Sequence, residues 1–420
     1  MVSEQSTSGQ NVAVIGGGII GLCCALKLQL HGDKVTIFDK SGAGEGCSKG
    51  NAGHFATEQI FPLATPALVP QLPKMLLSPS SPVSIRFQDL PQTIGWMVRF
   101  LLKARKAPTQ HATKALTKLN EHAMSSWFSL LESVGLRHLI VMQGSLLTFE
   151  SDALFKAYGA TLKGFDEQGV AYQLWGTKAI QEQVPNLSHR VKHGVFFPDT
   201  GHTLNPYKIC LELKIAFENL GGRFVHHHVD DVHAGDTLSV VSDNQMQPFD
   251  RVIVATGAES AKLVERMTGK KIPLQAERGY HLMLPTFTDG LPFPVSSADR
   301  KFIMTPMEGG LRLAGTVEYA ALQSPPNMKR SMMLKKLAQG LISGVSESTE
   351  MGEQWMGNRP SLPDSLPVID SLYDGKILFA FGHQHLGLTQ AAVTADLIAQ
   401  LRHQKKTALD LTPFRLSRFG

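Results

Sequence analysis

Three glycines and one aspartate carry the first chemistry legible in the chain. Gly16, Gly18 and Gly21 are spaced as G-x-G-x-x-G directly after the apolar run Val12 to Ile15, and Asp39 follows 18 residues after Gly21. That pattern holds a dinucleotide. Its first glycine permits a tight turn, the second lets the backbone approach a pyrophosphate, and the third lets the following helix pack closely on its strand. The helix N-terminus, with Ile19 and Ile20 in its first turn, then offers unpaired N–H groups and a favourable dipole to the phosphates. Asp39, with Lys40 beside it, lies near the ~20-residue offset at which an acid accepts from ribose hydroxyls, so an unphosphorylated ribose is expected.

The elements that must position these residues read as strand, turn, helix and strand over Asn11 to Lys40. The helix continues through Leu22, Ala25, Leu26 and Leu28 until His31-Gly32 closes it. A glycine-rich loop from Ser41 to His54 follows, too long for a simple turn and placed to line a ligand. Far downstream, Arg251 to Ala255 reads as a strand ending in Thr256-Gly257. Ile377 to Phe381 reads as another, followed by the loop Gly382 to Leu388 and a helix Thr389 to Leu401. Strand ends of this kind are ligand-facing edges of doubly wound sheets, so the nucleotide domain is expected to resume twice.

Between these returns the pattern changes. Val141 to Phe149, Tyr280 to Leu284, Phe302 to Thr305 and Leu311 to Gly315 suit strands of a second, more antiparallel domain. Asn205-Pro206 starts a helix that reaches Gly221-Gly222, and a strand Arg223 to Val229 follows it. His226 to His228 are read as residues of that strand rather than as a metal site. Phe61 to Pro91 carries seven prolines and is expected to be an extended wrapping segment. His111 to Val134 suits one amphipathic helix, and Ile94 to Lys106 mixes a broad apolar face with Arg99, Lys103, Arg105 and Lys106. The latter packs at a domain edge or lies on a membrane surface.

Composition narrows the classes. With 420 residues, 43% hydrophobic and 18% charged, the chain can bury a large core in two domains or one composite. Its net charge of +5 comes from 41 basic and 36 acidic residues without a basic block, which argues against nucleic-acid binding. Met1 to Gln10 is polar and reads as neither secretory signal nor anchor, and no run approaches the ~18 apolar residues of a spanning helix. The four cysteines, Cys23, Cys24, Cys47 and Cys210, have neither disulfide nor metal spacing, so a cytoplasmic setting is expected and no metal.

The chain resembles the FAD-dependent D-amino-acid oxidase superfamily, nearest to its D-amino-acid dehydrogenase and D-hydroxyproline dehydrogenase branch. The likeness rests on VAVIGGGIIGL, Ser48 with Asn51-Ala52-Gly53, VIVATGA at Val252 to Ala258, and ERGYH at Glu277 to His281. It extends through LRLAGTVE at Leu311 to Glu318, WMGNRP at Trp355 to Pro360, and Gly382 to Leu388. These stretches cover nearly the whole chain in family order.

The resemblance implies an α/β fold with an α+β second domain. A Rossmann-like FAD domain would comprise 11–60, 196–271 and 345–410, and a substrate domain with a large mixed sheet 61–195 and 272–344. It implies that Val229 meets adenine, that Ala255, Thr256 and Gly257 border the cofactor, and that Ser48, Asn51, Ala52 and Gly53 approach the isoalloxazine. Gly382, His385, Leu386, Gly387, Leu388 and Thr389 would serve its pyrimidine end, where a helix N-terminus favours negative charge.

The implied reaction is hydride transfer from the amine-bearing carbon to flavin N5, giving an imine that hydrolyses to a 2-oxo acid and ammonia, or a cyclic imine from a proline analogue. Holding the substrate carboxylate is then the protein's main task. Arg278, Arg312 and Arg359 are candidates because a guanidinium grips a carboxylate bidentately, with Tyr280 as a hydroxyl donor. Each also has a plain structural reading, as a surface, turn or core residue. His54, His281, His383 and His385 are candidates for shaping the pocket. Flavin is expected to be noncovalent, because relatives with a thioether carry the cysteine in the C-terminal part and this chain has none after Cys210. The remaining alternatives are a glycine- or sarcosine-type oxidase using oxygen, and a flavoprotein docked at the inner face of a membrane that passes electrons to a quinone or other acceptor.

Overall fold

The computed structural model describes residues 9–72, 81–234, 237–285, 287, 290–345 and 351–420. Part of the proline-rich stretch and the polar residues before Gly9 lie outside these.

A six-stranded sheet forms around Asn11–Ile15, whose neighbours are Lys34–Phe38 on one side and Arg251–Val254 on the other, all parallel. Arg223–Val225 and Ile377–Phe381 extend it in parallel, and Val368–Leu372 closes one edge antiparallel. The central strand is apolar from Val12 to Ile15 because both its faces are covered, one by helices and the other mainly by a small antiparallel sheet that contributes Val229, Val232, Leu238, Val240 and Phe249. Helix Ile19–Leu30 packs beneath it with Leu22 and Leu26 fully buried, each contributing about 1.5–3 kcal/mol. That helix lies between Pro206–Asn219 and Gly387–Arg402, the last helix of the chain.

A second, nine-stranded mixed sheet carries Gln275–Leu284 between Gly310–Tyr319 and Glu353–Ser361. It runs outward through Phe302–Met307 and Val295–Ser297 to Ser145–Phe149, His193–Phe197 and Gln173–Gly176.

Several sequence expectations move. Glu353–Ser361, assigned by position to the nucleotide domain, is an edge strand of the large sheet, held by a ladder running from Gln275↔Ser361 to Met283↔Glu353. The stretch 106–132, assigned to the substrate domain, instead packs on the last helix, where Leu116, Leu119, Trp127 and Leu131 join the nucleotide-domain core. It forms two helices, Lys106–Glu121 and Ala123–Glu132, meeting at His122. The strand expected from Arg223 to Val229 ends at Val225, and a new strand, Val229–Ala234, starts a three-stranded antiparallel sheet. His226 to His228 are the link between them, and the His226 ring Nε2 lies 2.7 Å from the Lys40 carbonyl. Within the proline-rich stretch, Val83–Ile85 pairs with Gly310–Tyr319.

Candidate active site

The turn after the first strand is set by backbone geometry. Gly16 has φ +109°, and a Cβ there would meet the Ala255 carbonyl oxygen at 2.4 Å, so glycine is required on two counts. A Cβ on Gly21 would lie 1.8 Å from the Gly16 oxygen, because the helix sits directly on its strand. Gly18 differs: its added Cβ would meet only Ser48 Oγ, at 3.4 Å, which leaves its other side open to an incoming group. The helix that starts at Ile19 has no side-chain cap and no acid in its first turn. Those are the conditions for an anion at its N-terminus.

Asp39 organises the adjoining loop. One carboxylate oxygen accepts from Gly17 N–H at 2.7 Å, and the other accepts from Ser41 and Gly42 N–H at 2.8 and 3.0 Å. A carboxylate has about four lone-pair sites, so acceptor capacity remains for a ribose. Ser48 Oγ accepts from Ile19 N–H at 3.0 Å and ties the glycine-rich loop to the helix start. Lys40 reaches across to Glu259, 2.6 Å away, beside Thr256 and Gly257.

A cavity of about 850 Å³ begins at this cradle and ends against the large sheet. Gly16, Gly18, Ile19, Ile20, Asp39, Lys40, Ser48, Asn51, Val229, Ala255, Thr256 and Gly257 line it, joined at the far end by Gly382, His383, Gly387 and Leu388. The size falls within the range of small-molecule and cofactor sites. Gly21, Ala52, Gly53, Arg359, His385, Leu386 and Thr389 are not part of that lining; they shape the elements behind it. Thr389 Oγ1 accepts from Ala56 N–H at 2.9 Å, and His385 Nε2 lies 2.8 Å from Gln59 Oε1. His383 Nε2 is 3.0 Å from Thr394 Oγ1, and burial depresses its pKa to about 3, so it is a neutral ring at physiological pH.

The far end contains residues the sequence did not single out. Trp355 lines the cavity and lies so close to Gly50 that a Cβ there would meet its ring at 2.2 Å. It stacks on His281 with ring centroids 5.0 Å apart, while His281 Nδ1 contacts the Gly50 carbonyl oxygen at 2.9 Å. Trp127 donates its indole N–H to the carbonyls of Leu388 and Thr389 at 2.9 and 3.2 Å, which fixes the start of the last helix. Trp127 falls in the apolar pattern of the His111 to Val134 stretch, but the contacts of both tryptophans reach across hundreds of residues and have no local signal. WMGNRP, which carries Trp355, was the hint the sequence offered.

The carboxylate-clamp candidates separate. Arg278, expected at a surface or a ligand, is fully buried. Its guanidinium donates to the carbonyls of Ala321, Ser324 and Pro325 at 2.7, 2.5 and 3.0 Å and lies 3.4 Å from Glu318. Tyr280 donates its hydroxyl to the same Glu318 at 2.7 Å and accepts from Asn327 N–H at 3.0 Å. Both are committed to an internal network, because the strand places Arg278 opposite Glu318. Arg312 donates to the Asn51 carbonyl at 2.5 Å, leaving its buried Nε without a partner, and burial lowers its pKa to about 10. Arg359 lies against Gly279, pairs with Glu277 at 3.2 Å and stays partly exposed between the lining residues Asn358 and Pro360. His54 lies outside this cavity and belongs to a second one, described below.

These features fit an FAD molecule: a helix start with an open glycine at its N-cap for the pyrophosphate, an acid for a ribose, and a long cavity that ends at a second helix start. A profile of FAD-dependent oxidoreductases, the DAO family, matches residues 11–401. The chain belongs to that family. It is 31% identical to a D-amino-acid oxidase of Bradyrhizobium diazoefficiens over 98% of this chain and 99% of that protein. It is 26% identical to a D-amino acid dehydrogenase of Sinorhizobium medicae over 97% and 100%. Its fold is that of glycine oxidase from Geobacillus kaustophilus, with TM-score 0.77 at 21% identity over 98% and 99% of the two chains. It is likewise that of L-proline dehydrogenase from P. horikoshii, with TM-score 0.72 at 17% identity over 98% of each.

Proposed function

We propose that this family member oxidises a D-amino acid, or a D-hydroxyproline-like imino acid, at the carbon bearing its nitrogen. Bound FAD supplies the hydride acceptor. The protein's part is to orient the substrate: Arg359, half-buried behind the lining residues Asn358 and Pro360, would hold the carboxylate, Arg312 would do so only by leaving the Asn51 carbonyl, and the neutral His383 shapes the wall without adding charge. The observation that carries this reading is one cavity running from the phosphate cradle to the large sheet beside Arg359. The D-amino-acid oxidase and dehydrogenase relatives support it. Anaerobic bleaching of the bound flavin by a panel of D-amino acids, D-hydroxyproline, sarcosine and glycine tests it. Bleaching by glycine and sarcosine alone would replace it with the glycine-oxidase reading, and initial rates with oxygen against a quinone identify the acceptor. The flavin is held noncovalently in this reading and is released by acid precipitation.

A peripheral membrane contact has its own support. Helix Leu90–Lys103 exposes Ile94, Val98, Leu101 and Leu102, each 42–52% accessible, with Arg99 also exposed, Lys103 half-buried at its end and Phe87 81% accessible just before it. Apolar residues flanked by basic ones suit an anionic lipid surface. No described helix is long and apolar enough to cross a membrane. Co-sedimentation with anionic vesicles, lost on Arg99→Glu with Lys103→Glu, is the expected result.

A further inference from the structure

A second cavity of about 170 Å³ lies beside the large one. Its floor is Leu146, Leu147 and Ser296, from the adjacent strands Ser145–Phe149 and Val295–Ser297 of the large sheet. Its roof is His54, Glu58 and Gln59, which continue the loop that lines the first cavity at Asn51. Gln59 of this cavity contacts His385, whose neighbours His383, Gln384 and Gly387 line the first cavity, which puts the two spaces side by side.

Two buried polar atoms here have no partner. Glu58 Oε2 and His54 Nε2 are unpaired on side chains only 9% and 7% accessible, 3.8 Å from each other. Their surroundings are largely apolar, with Phe61, Phe165 and Phe197 in the wall. Burial raises the Glu58 carboxyl to a pKa of about 8 and, with His202 behind it, lowers His54 to about 3. At neutral pH the pair is therefore an uncharged acid beside an uncharged ring, not an ion pair. Buried unpaired groups of this kind cost stability unless something binds them. The volume corresponds to roughly five waters, enough for the end of a side chain.

We propose that this cavity receives the distal end of the amino-acid substrate and selects a basic one, an ammonium or guanidinium, with Glu58 as its counter-ion. The proposal rests on the amino-acid reading above. On binding, the cation takes the place of the carboxyl proton, which leaves to solvent, and the neutral His54 and the hydroxyl of Ser296 remain as hydrogen-bonding partners.

The test uses the holoenzyme with D-lysine and D-norleucine, which differ by the terminal amine. Wild type is expected to favour D-lysine at least tenfold in kcat/KM, and Glu58→Gln to bring that ratio to about one. A wild-type ratio at or below one, or a ratio the variant leaves unchanged, overturns the proposal. Calorimetry in buffers of different ionisation enthalpy, with the flavin reduced so that no turnover occurs, gives a second readout that needs no variant: D-lysine is expected to release about one proton more than D-norleucine, whose α-ammonium release is common to both, and equal release overturns the assignment. If no amino acid bleaches the flavin, the deamination reading fails, while the calorimetric result still decides the cavity.

Discussion

The two cavities lie on either side of the Gln59–His385 contact and are built in opposite ways. Along the large one, the conformation comes from glycines, helix starts and strand ends, with side chains such as Asp39 and Ser48 holding backbone rather than projecting charge. The small one is defined by side chains, two of them ionisable and each with a polar atom left unpartnered, reaching from the stretch 54–58 over ordinary strands of the large sheet. A backbone-built site tolerates few changes of shape and recognises what is common to all its ligands, here phosphate and ribose. A side-chain site tolerates change and sets preference.

The largest effect is expected where backbone leaves no room. Gly21→Ala places a Cβ 1.8 Å from the Gly16 oxygen and must push the first helix off its strand. A loss above about 3 kcal/mol is expected, with flavin absent from the purified protein. Gly18→Ala meets only Ser48 Oγ at 3.4 Å, so the fold should persist while flavin affinity falls. Thermal unfolding and the ratio of flavin to protein absorbance separate the two. Equal loss of stability in both would mean that the open side of Gly18 is not a ligand face.

The same contrast explains what was legible in the sequence. Gly16, Gly18, Gly21 and Asp39 lie within one strand-helix-strand unit, so their spacing encodes their geometry: Gly16, Gly18 and Asp39 line one cavity and Gly21 seats the helix on its strand. Strand ends at Thr256 and Gly382 were readable because punctuation marks them locally. Arg278 was not, because its burial depends on Glu318 and on carbonyls more than forty residues away. Glu58 carried no signal at all: its character comes from Leu147, Tyr158 and Phe197, brought together only when the large sheet forms. The packing of 106–132 on the last helix and the pairing of Glu353–Ser361 with the large sheet have the same origin, since apolar periodicity tells which face is buried and not against what.

An intermediate effect should appear at Glu58. Its folded pKa, about 8, lies above the ordinary 4.5, so the stability tied to its proton is complete below about pH 4.5 and is lost as pH rises to 8. His54 and His202, held at about 3 and 4 by burial, act in the opposite sense: their contribution is present above the ordinary 6.5 and lost in acid. Between pH 6.5 and 8 the Glu58 contribution therefore dominates this cluster. Glu58→Gln should gain on wild type by up to about 2 kcal/mol across that interval, at 1.36 kcal/mol per unit for one proton. Parallel stability curves for the two proteins would show Glu58 to be ionised in the folded state.

The smallest effect is expected from Tyr280→Phe, and it bears on the boundary between structure and substrate. Removing the hydroxyl takes one hydrogen bond from Glu318 and leaves Asn327 N–H without its acceptor, a cost of about 1–2 kcal/mol. If the Arg278–Glu318–Tyr280 network only stiffens the sheet, KM for the best D-amino acid should stay within about threefold while stability drops. A KM raised tenfold at unchanged stability would instead put the hydroxyl on the substrate and require the network to open when ligand binds. Arg359→Lys is the matched control: it keeps the charge beside Glu277 but loses the planar fork, so its effect should fall on KM and hardly on stability.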